Sequence, residues 1–501
     1  MNIYELLTSI RDYDEYVGGI NDALVDLPQE ILNRDVTAIV NDHRCVNSES
    51  VFVAMRGTHI DSHAFIADAR NAHAALTIGE KGSELPSLPD VEVNSTRAVI
   101  GPLASALYSK PSKDLSLVGI TGTNGKTTVS YLYSSIIQAH KKHCFVMGTT
   151  GILVDGEKEA DSQTTPDPLV IHQCFADYRD KGITTGALEV SSHALDQYRV
   201  LGIRFGAVAF TNFSQDHLDY HESMDQYFDS KSRLFSTIYS PVAVVNIDDE
   251  RGSDIVDIAR KSGQDVMTVS CKNDGADVVV MAESMNLEGS QLRVHTRRES
   301  EECDYVVSTP LIGDFNHENI AVALGLAFAT HCDMSIATNA LSHPETVPGR
   351  LQRPDHKTGS AVFVDYAHTP DALKRVLTMI KPLAKKVIVV FGCGGDRDHA
   401  KRPLMGAIAS DLADAVIVTT DNPRSEEPRE IIEDIVAGAH KKVLTEIDRR
   451  VAIKLAFSLM DKGDAVIIAG KGHERGQVFA DHTEEFSDID VVNEIISLES
   501  S

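Results

Sequence analysis

Gly119-Ile-Thr-Gly-Thr-Asn-Gly-Lys-Thr-Thr128 decides the reading of this chain. The apolar run Leu115–Val118 before it reads as a strand, and Val129–Gln138 after it reads as a helix. A strand, a glycine turn and a helix start aim backbone N–H groups and a positive helix end at phosphate. Lys126 adds a point charge near the terminal phosphates, and the Thr127 or Thr128 hydroxyl can join a Mg²⁺ shell. The usual eight-residue phosphate loop needs a glycine at 120, where this chain has Ile120. What fits is the shorter pattern G-x-x-G-K-T over Gly122–Thr127.

Outward from that loop, the chain is too long for one core. Its 501 residues predict about three domains. Apolar content of 42% and charged content of 24% are those of a globular protein. No apolar run approaches the ~20 residues a membrane span requires, and Met1–Leu7 has no signal-peptide pattern. The seven cysteines are scattered singly without a C-x-x-C pair, which predicts a reducing cytoplasm and no structural zinc. A net charge of −27 opposes nonspecific nucleic-acid binding, so an anionic substrate must be drawn in by local cations.

The expected organisation is a unit over 1–112, a middle unit over 113–345 and a third over 346–501. Val51–Met55 and Ala74–Ile78 read as strands of the first. Gly186–Val190, Gly206–Phe210 and Val242–Asn246 read as buried strands of the second, followed by a polar, β-rich insertion near 270–308 and a helix over Asn319–Thr330. Apolar strands alternating with helices indicate a parallel α/β sheet covered on both faces. The third unit repeats the pattern with Ala361–Val364, Lys386–Val390, Ala415–Val418 and Ala465–Ile468. After each comes a polar loop: Asp365–Pro370, Gly392–Asp398, Thr420–Arg424 and Gly470–Glu474. Ligands bind beyond the carboxyl ends of strands in such sheets, so four such loops predict a second ligand site.

Beyond the strand ends of the middle unit lie Ser162–Asp167, Glu189–His193 and Thr211–His221, rich in hydroxyls, carboxylates and imidazoles. Carboxylate oxygens with one imidazole suit Mg²⁺ or Mn²⁺ beside a phosphate. Taken alone, Glu189 also fits a buried acid beside a base, His217 a structural histidine, and Lys231 a surface lysine on a helix.

Gly122–Thr128, Glu189–His193, Asn212–His221, Gly313–Asn319 and the four late loops, in this order, resemble the Mur ligases over essentially the whole chain. The shortened phosphate loop is the form found in that family. The resemblance implies three domains: an N-terminal uridine-binding α/β domain, a central P-loop ATPase-like parallel sheet and a C-terminal Rossmann-like domain. It implies a cytoplasmic, monomeric, ATP-dependent ligase of peptidoglycan precursor synthesis that phosphorylates a carboxylate and lets an amine attack the acyl phosphate. Carried over residue by residue, Gly122, Thr123, Asn124, Gly125, Lys126, Thr127 and Thr128 would hold ATP, with Asn316, Asn319, Arg350, Asp365 and His368. Thr127, Glu189, His217 and a carbamylated Lys231 would organise Mg²⁺, with Lys126, Glu189, His217 and Lys231 as the catalytic set. UDP-N-acetylmuramoyl-L-Ala-D-Glu would lie against His43, Thr58, Thr164, Thr165, Ser191, Gln197 and Arg199. His43 stands where many members have a serine.

The resemblance also implies the amine. In the family, Asp421-Asn-Pro-Arg424 marks users of meso-diaminopimelate, whereas lysine users replace the arginine. A guanidinium can grip the far carboxylate that lysine lacks. Arg397, Asp421, Asn422, Pro423, Arg424, Gly470 and Glu474 would form the pocket, with Glu474 facing an ammonium. For Arg424 the alternative is a surface ion pair with Glu426 or Glu427. Two other functions stay open at this point: a sister ligase, such as a folylpolyglutamate synthetase, and a nucleotide-hydrolysing switch.

Overall fold

The computed structural model describes residues 1–57, 60–82, 87–216, 220–298, 301–354 and 359–499. Contacts divide it into two compact units. The first is Met1–Val279 with His295–Cys303 and Asn319–Ala340; the second is Val280–Val294 with Asp304–Glu318 and Leu341–Ser501. The fold class is α/β, with parallel sheets in both.

The first unit opens with a parallel sheet of β1 (Ala38–Val40), β2 (Ser50–Val53), β3 (Leu76–Glu80) and β4 (Val91–Val93), in that order. Its larger sheet uses β5 (Ser116–Thr121), β6 (Cys144–Gly148), β7 (Gly151–Val154), β8 (Glu157–Ala160), β9 (Thr185–Glu189), β10 (Ala207–Phe210), β11 (Val242–Asn246) and β12 (Asp265–Ser270). They lie in the order β12-β11-β10-β5-β9-β6-β7-β8, parallel except where β7 and β8 fold back. β5, β9 and β10 are buried along almost their whole length, as strands covered on both faces must be. β13 (Val278–Asn286) joins at Val278 and Val279, and the chain continues through β14 (Gly289–Arg298) and β15 (Glu301–Thr309).

The two sheets of this unit share one hydrophobic cluster, which runs from Ile3 and Leu6 through Val99 and Leu103 to Leu117, Phe145 and Phe175. Helix Thr96–Leu107 supplies the join: Ser105 Oγ donates to the Gly202 carbonyl at 3.1 Å. Residues 1–112 thus pack into the same compact unit as the phosphate loop.

The second unit carries a fully parallel sheet of β16 (Ala361–Asp365), β17 (Val387–Phe391), β18 (Ala415–Val418), β19 (Leu444–Thr445) and β20 (Ala465–Ala469). Their order is β16-β20-β17-β18-β19. Because all run the same way, the four polar loops leave from one edge. Separate apolar clusters cover the two faces, one containing Leu373, Leu377 and Met405 and the other Ile453, Val491 and Val492. A short antiparallel hairpin, β21 (Gly476–Val478) and β22 (Thr483–Glu485), follows the last loop.

Two expected boundaries move. β5 extends through Gly119 and Ile120 to Thr121, so the glycine turn is only Gly122–Gly125. Ile120 is paired with Ala209 and Glu189, and at Gly119 the Phe205 ring leaves no ordinary room, since a Cβ would lie 3.1 Å away. The helix expected at Asn319 starts at Asp314. Among the described residues no helix is long and apolar enough to cross a membrane, and all seven cysteines are free thiols.

Candidate active site

The phosphate loop is held from the neighbouring strand. β10 pairs with β5, and the residues just past β10 splint the turn. Thr123 N donates to the Asn212 carbonyl at 2.9 Å, and Asn124 N to Asn212 Oδ1 at 2.9 Å. Thr211 Oγ1 donates to the Asn124 carbonyl at 2.6 Å. Gly125 then starts helix Lys126–Ala139 from a left-handed conformation, φ 87°, and a Cβ there would overlap Asn319 Oδ1. Among the described residues no side chain caps this helix, and uncapped first-turn N–H groups suit an anion.

Two lysines converge on the loop. Lys126 Nζ donates to the carbonyls of Gly122 and Thr123 at 2.9 and 3.0 Å. Lys231 Nζ donates to the same Gly122 carbonyl at 2.9 Å and sits 4.5 Å from the centre of the Tyr227 ring. Lys231 is not a surface lysine; its exposure is 1%. Burial, with Lys126 adding repulsion, holds its amine well below the ordinary lysine range, against a smaller opposing pull from Asp216.

Glu189 ends β9 beside the loop and is fully buried. Its Oε2 accepts from Thr127 Oγ1 at 3.1 Å and Thr149 Oγ1 at 3.0 Å, and its Oε1 from Thr149 N at 3.0 Å. Burial raises its pKa, opposed first by the Lys126 charge and then by these hydrogen bonds. The nearby hydroxyl and carboxylate are hard oxygen donors of the kind that Mg²⁺ takes. His217 and Thr58, both expected site residues, lie outside the described residues.

The residues expected at the sugar peptide form one network with Glu189. Thr165 Oγ1 donates to the Glu189 carbonyl at 2.8 Å, Ser191 N donates to Thr165 Oγ1, and Thr164 Oγ1 lies 3.2 Å from Thr149 Oγ1. Arg199 is anchored by Gln197 Oε1, Gln163 Oε1 and the Thr165 carbonyl. His43 is placed elsewhere in the unit, stacked on Phe65 with ring centres 4.1 Å apart.

In the second unit, Asp365 Oδ2 accepts from Leu351 N at 2.7 Å and Oδ1 from Ala367 N at 2.9 Å. Burial raises its pKa against those bonds and the Arg350 charge. Arg350 lies over the Tyr366 ring at 4.6 Å, and the His368 ring meets that ring edgewise, also at 4.6 Å. Asn316 is buried and donates to the Ile312 carbonyl at 2.9 Å.

The loops after β18 and β20 meet at a second polar centre. Asn422 Nδ2 donates to Glu474 Oε2 at 2.8 Å, and Lys471 Nζ donates to Asn422 Oδ1 at 2.9 Å. Asp421 is buried, and a Cβ on Gly470 would lie 2.6 Å from its Oδ2. Burial raises the Asp421 pKa, with Arg449 and then Lys471 opposing. Pro423, also buried, receives Glu426 N on its carbonyl at 3.1 Å. Arg424 has a left-handed backbone, φ 53°, and its Nη1 donates to the Gly395 carbonyl at 2.7 Å. The competing ion pair is not formed with Glu426, whose oxygens are held by Arg402 at 2.8 and 2.9 Å. Arg397 stands exposed on the loop after β17.

Profiles of the Mur ligase middle domain and of the Mur ligase glutamate ligase domain match residues 120–327 and 349–472. A UDP-N-acetylmuramoyl-L-alanyl-D-glutamate–2,6-diaminopimelate ligase of Rhizobium meliloti is 40% identical over 91% of this chain and 93% of its own length. The chain belongs to the Mur ligase family. The ligase of the same name from Aquifex aeolicus is 39% identical, over 93% of this chain and 94% of its own. A solved structure of a ligase of that name superposes with a TM-score of 0.72 at 31% identity, covering 97% of this chain and 100% of the other.

Three features of the polar centres in the two units escaped the sequence reading. Gly148 and Thr149 close on Glu189, and a Cβ at Gly148 would overlap its Oε1. The signal was present: Gly148-Thr-Thr150 is one more polar step after a buried strand. Tyr227 lies one helical turn before Lys231, its hydroxyl 3.2 Å from Thr123 Oγ1. The third is β21, which backs the Asp421 loop: Gln477 Nε2 donates to the Asp421 carbonyl at 2.8 Å, and Arg424 N donates to the Val478 carbonyl at 2.9 Å.

Proposed function

We propose that this chain is the ATP-dependent ligase that adds meso-2,6-diaminopimelate to UDP-N-acetylmuramoyl-L-alanyl-D-glutamate in the cytoplasm. The observation that carries the reading is the near end-to-end match to relatives bearing that name, at about 40% identity. The chemistry needs a phosphate end and an amine end, and residues suited to both are present.

A carboxylate oxygen of the D-glutamyl residue attacks the γ-phosphorus of ATP, and the bond to the β,γ-bridging oxygen breaks to release ADP. The neutral amine then adds to the acyl carbon. The tetrahedral adduct expels phosphate and loses a proton from nitrogen, leaving the amide. Lys126 turns from its own loop carbonyls to the γ-phosphate, and the uncapped helix N–H groups hold its neighbours. Glu189 and Thr127, with His217, would hold Mg²⁺, which when bound neutralises phosphate charge. Lys231, whose amine burial holds well below the ordinary lysine range, is assigned as the lysine whose nitrogen adds to CO₂ and loses a proton to become a carbamate anion. Thr164, Thr165, Ser191, Gln197 and Arg199 take the muramoyl peptide, with Thr58 and His43 toward uridine. Asn316, Asn319, Arg350, Asp365 and His368 are assigned to the nucleotide, on the resemblance alone.

At the amine end, Arg424 takes the far carboxylate of diaminopimelate and Glu474 its ammonium, with Arg397, Asp421, Asn422, Pro423 and Gly470 completing the pocket. We assign the chain as a monomer of three functional segments, 1–112, 113–345 and 346–501. The test is ADP release with the UDP-muramoyl dipeptide and either meso-diaminopimelate or L-lysine. Turnover dependent on both dipeptide and diaminopimelate is expected. Amine-independent hydrolysis would instead indicate a nucleotide switch, and preference for lysine would overturn the amine assignment.

A further inference from the structure

Lys471 has no part in the chemistry just derived, yet it is a fully buried cationic side chain at the amine end. Its side-chain exposure is 0%. A lysine is almost never fully buried unless its ammonium is matched by partners. Here the ammonium lies between Asn422 Oδ1 at 2.9 Å and Glu474 Oε2 at 3.2 Å.

The arrangement around it is closed and directional. Asn422 Oδ1 accepts from Lys471 Nζ and from Val478 N at 3.0 Å. A lysine ammonium and a backbone amide can only donate, so the oxygen of the Asn422 amide must face them. Its Nδ2 is thereby turned to Glu474 Oε2, which it meets at 2.8 Å. Glu474 Oε2 thus receives two donors, while Oε1 has no hydrogen-bond partner among the described residues and the side chain is 35% exposed. One oxygen is clamped and the other keeps its full accepting capacity.

We propose that Lys471 is a positioning residue for the amine substrate: it fixes the Asn422 amide and clamps one oxygen of Glu474, leaving the other aimed at the substrate ammonium. The proposal rests on the assignment of this loop cluster as the amine pocket. Lys471 acts through Glu474 rather than by touching the substrate, and so belongs to amine recognition and not to carboxylate activation.

The experiment is a double-mutant cycle in the full-length enzyme with Lys471→Met and Glu474→Gln, read as separate KM values for diaminopimelate and ATP together with kcat. Lys471→Met should raise the diaminopimelate KM about 10-fold or more, as loss of a charge-assisted contact does, and leave the ATP KM and kcat near wild type. In the Glu474→Gln background the same change should add less than about twofold, because the two side chains act as one unit. If Glu474→Gln leaves the diaminopimelate KM unchanged, the amine-pocket assignment itself fails. If Glu474→Gln raises that KM but Lys471→Met does not, or if the two effects simply multiply, the positioning role is overturned while the pocket stands. A fall in kcat with both KM values unchanged would also overturn it. Should Lys471→Met not fold, Lys471→Gln enters the same cycle; it keeps a donor toward Asn422 Oδ1 but removes the charge.

Discussion

The proposed phosphate end of the first unit and the proposed amine end of the second are built from opposite materials. The first is made mainly of backbone: a glycine turn, an uncapped helix start, and carbonyls that hold Lys126 and Lys231. The second is made of side chains on separate loops, with Asn422, Lys471 and Glu474 locked to each other and Asp421 packed under Gly470. Phosphate looks alike on every nucleotide, so a backbone cradle suffices. One amino acid must be told from another that differs by a carboxylate, and that takes guanidinium, ammonium and carboxylate groups held in fixed directions.

The contrast predicts a division of kinetic damage. The largest effect should come at the phosphate end. Lys231→Ala should lower kcat by about 10³-fold, the scale of a lost electrostatic contact in the transition state, with little change in the diaminopimelate KM. Wild-type enzyme equilibrated with ¹³CO₂ should show a carbamate carbon by NMR, and the variant should not. A wild-type spectrum lacking that signal would remove the carbamate from the mechanism.

At the amine end, Arg424→Ala should raise the diaminopimelate KM by about 10²-fold, as expected for losing a paired, charge-assisted contact. The ATP KM should stay within about twofold of wild type on the same physical ground, since different groups hold the nucleotide. Equal shifts in both would place Arg424 outside the amine pocket and erase the division.

The smallest effect is on stability. Glu189 has a raised pKa in the folded state, so its contribution is fully present below the ordinary glutamate value of 4.5 and is lost as pH rises through the folded value. Glu189→Gln should therefore be more stable than wild type at pH 7, by about 1 kcal/mol, with the advantage fading toward pH 4.5. Denaturant melts at the two pH values check this. A variant less stable at pH 7 would mean that the Thr127, Thr149 and Lys126 interactions outweigh the cost of burial.

The same contrast explains what could be read from the residues alone. The phosphate loop is contiguous and its glycines have one physical use, so Gly122–Thr128 was legible at once. The parallel sheets were legible too, because strands such as Val387–Phe391 are apolar throughout. Lys231 was not legible from its own surroundings, since Tyr227–Phe235 is a mixed amphipathic stretch and burial is a property of what packs on it. Thr149, Lys471 and Gln477 stayed hidden for a related reason: each works by reaching a residue at least 40 positions away. The end of β5 was misjudged because glycine signals a turn, whereas Gly119 is small to admit Phe205.

Arg424 holds its backbone at φ 53°, a conformation that costs an ordinary residue about 1 kcal/mol and a β-branched one more. With Arg424 gripping the amine as proposed above, that geometry limits how the amine preference of this enzyme can drift. Replacements by asparagine or glycine relax the backbone while discarding the cation; valine, isoleucine or threonine lose the cation and add strain. A lineage exchanging one amine for another from this starting point would have to remodel the loop along with its arginine, so substrate choice is protected by the shape of the main chain as well as by charge.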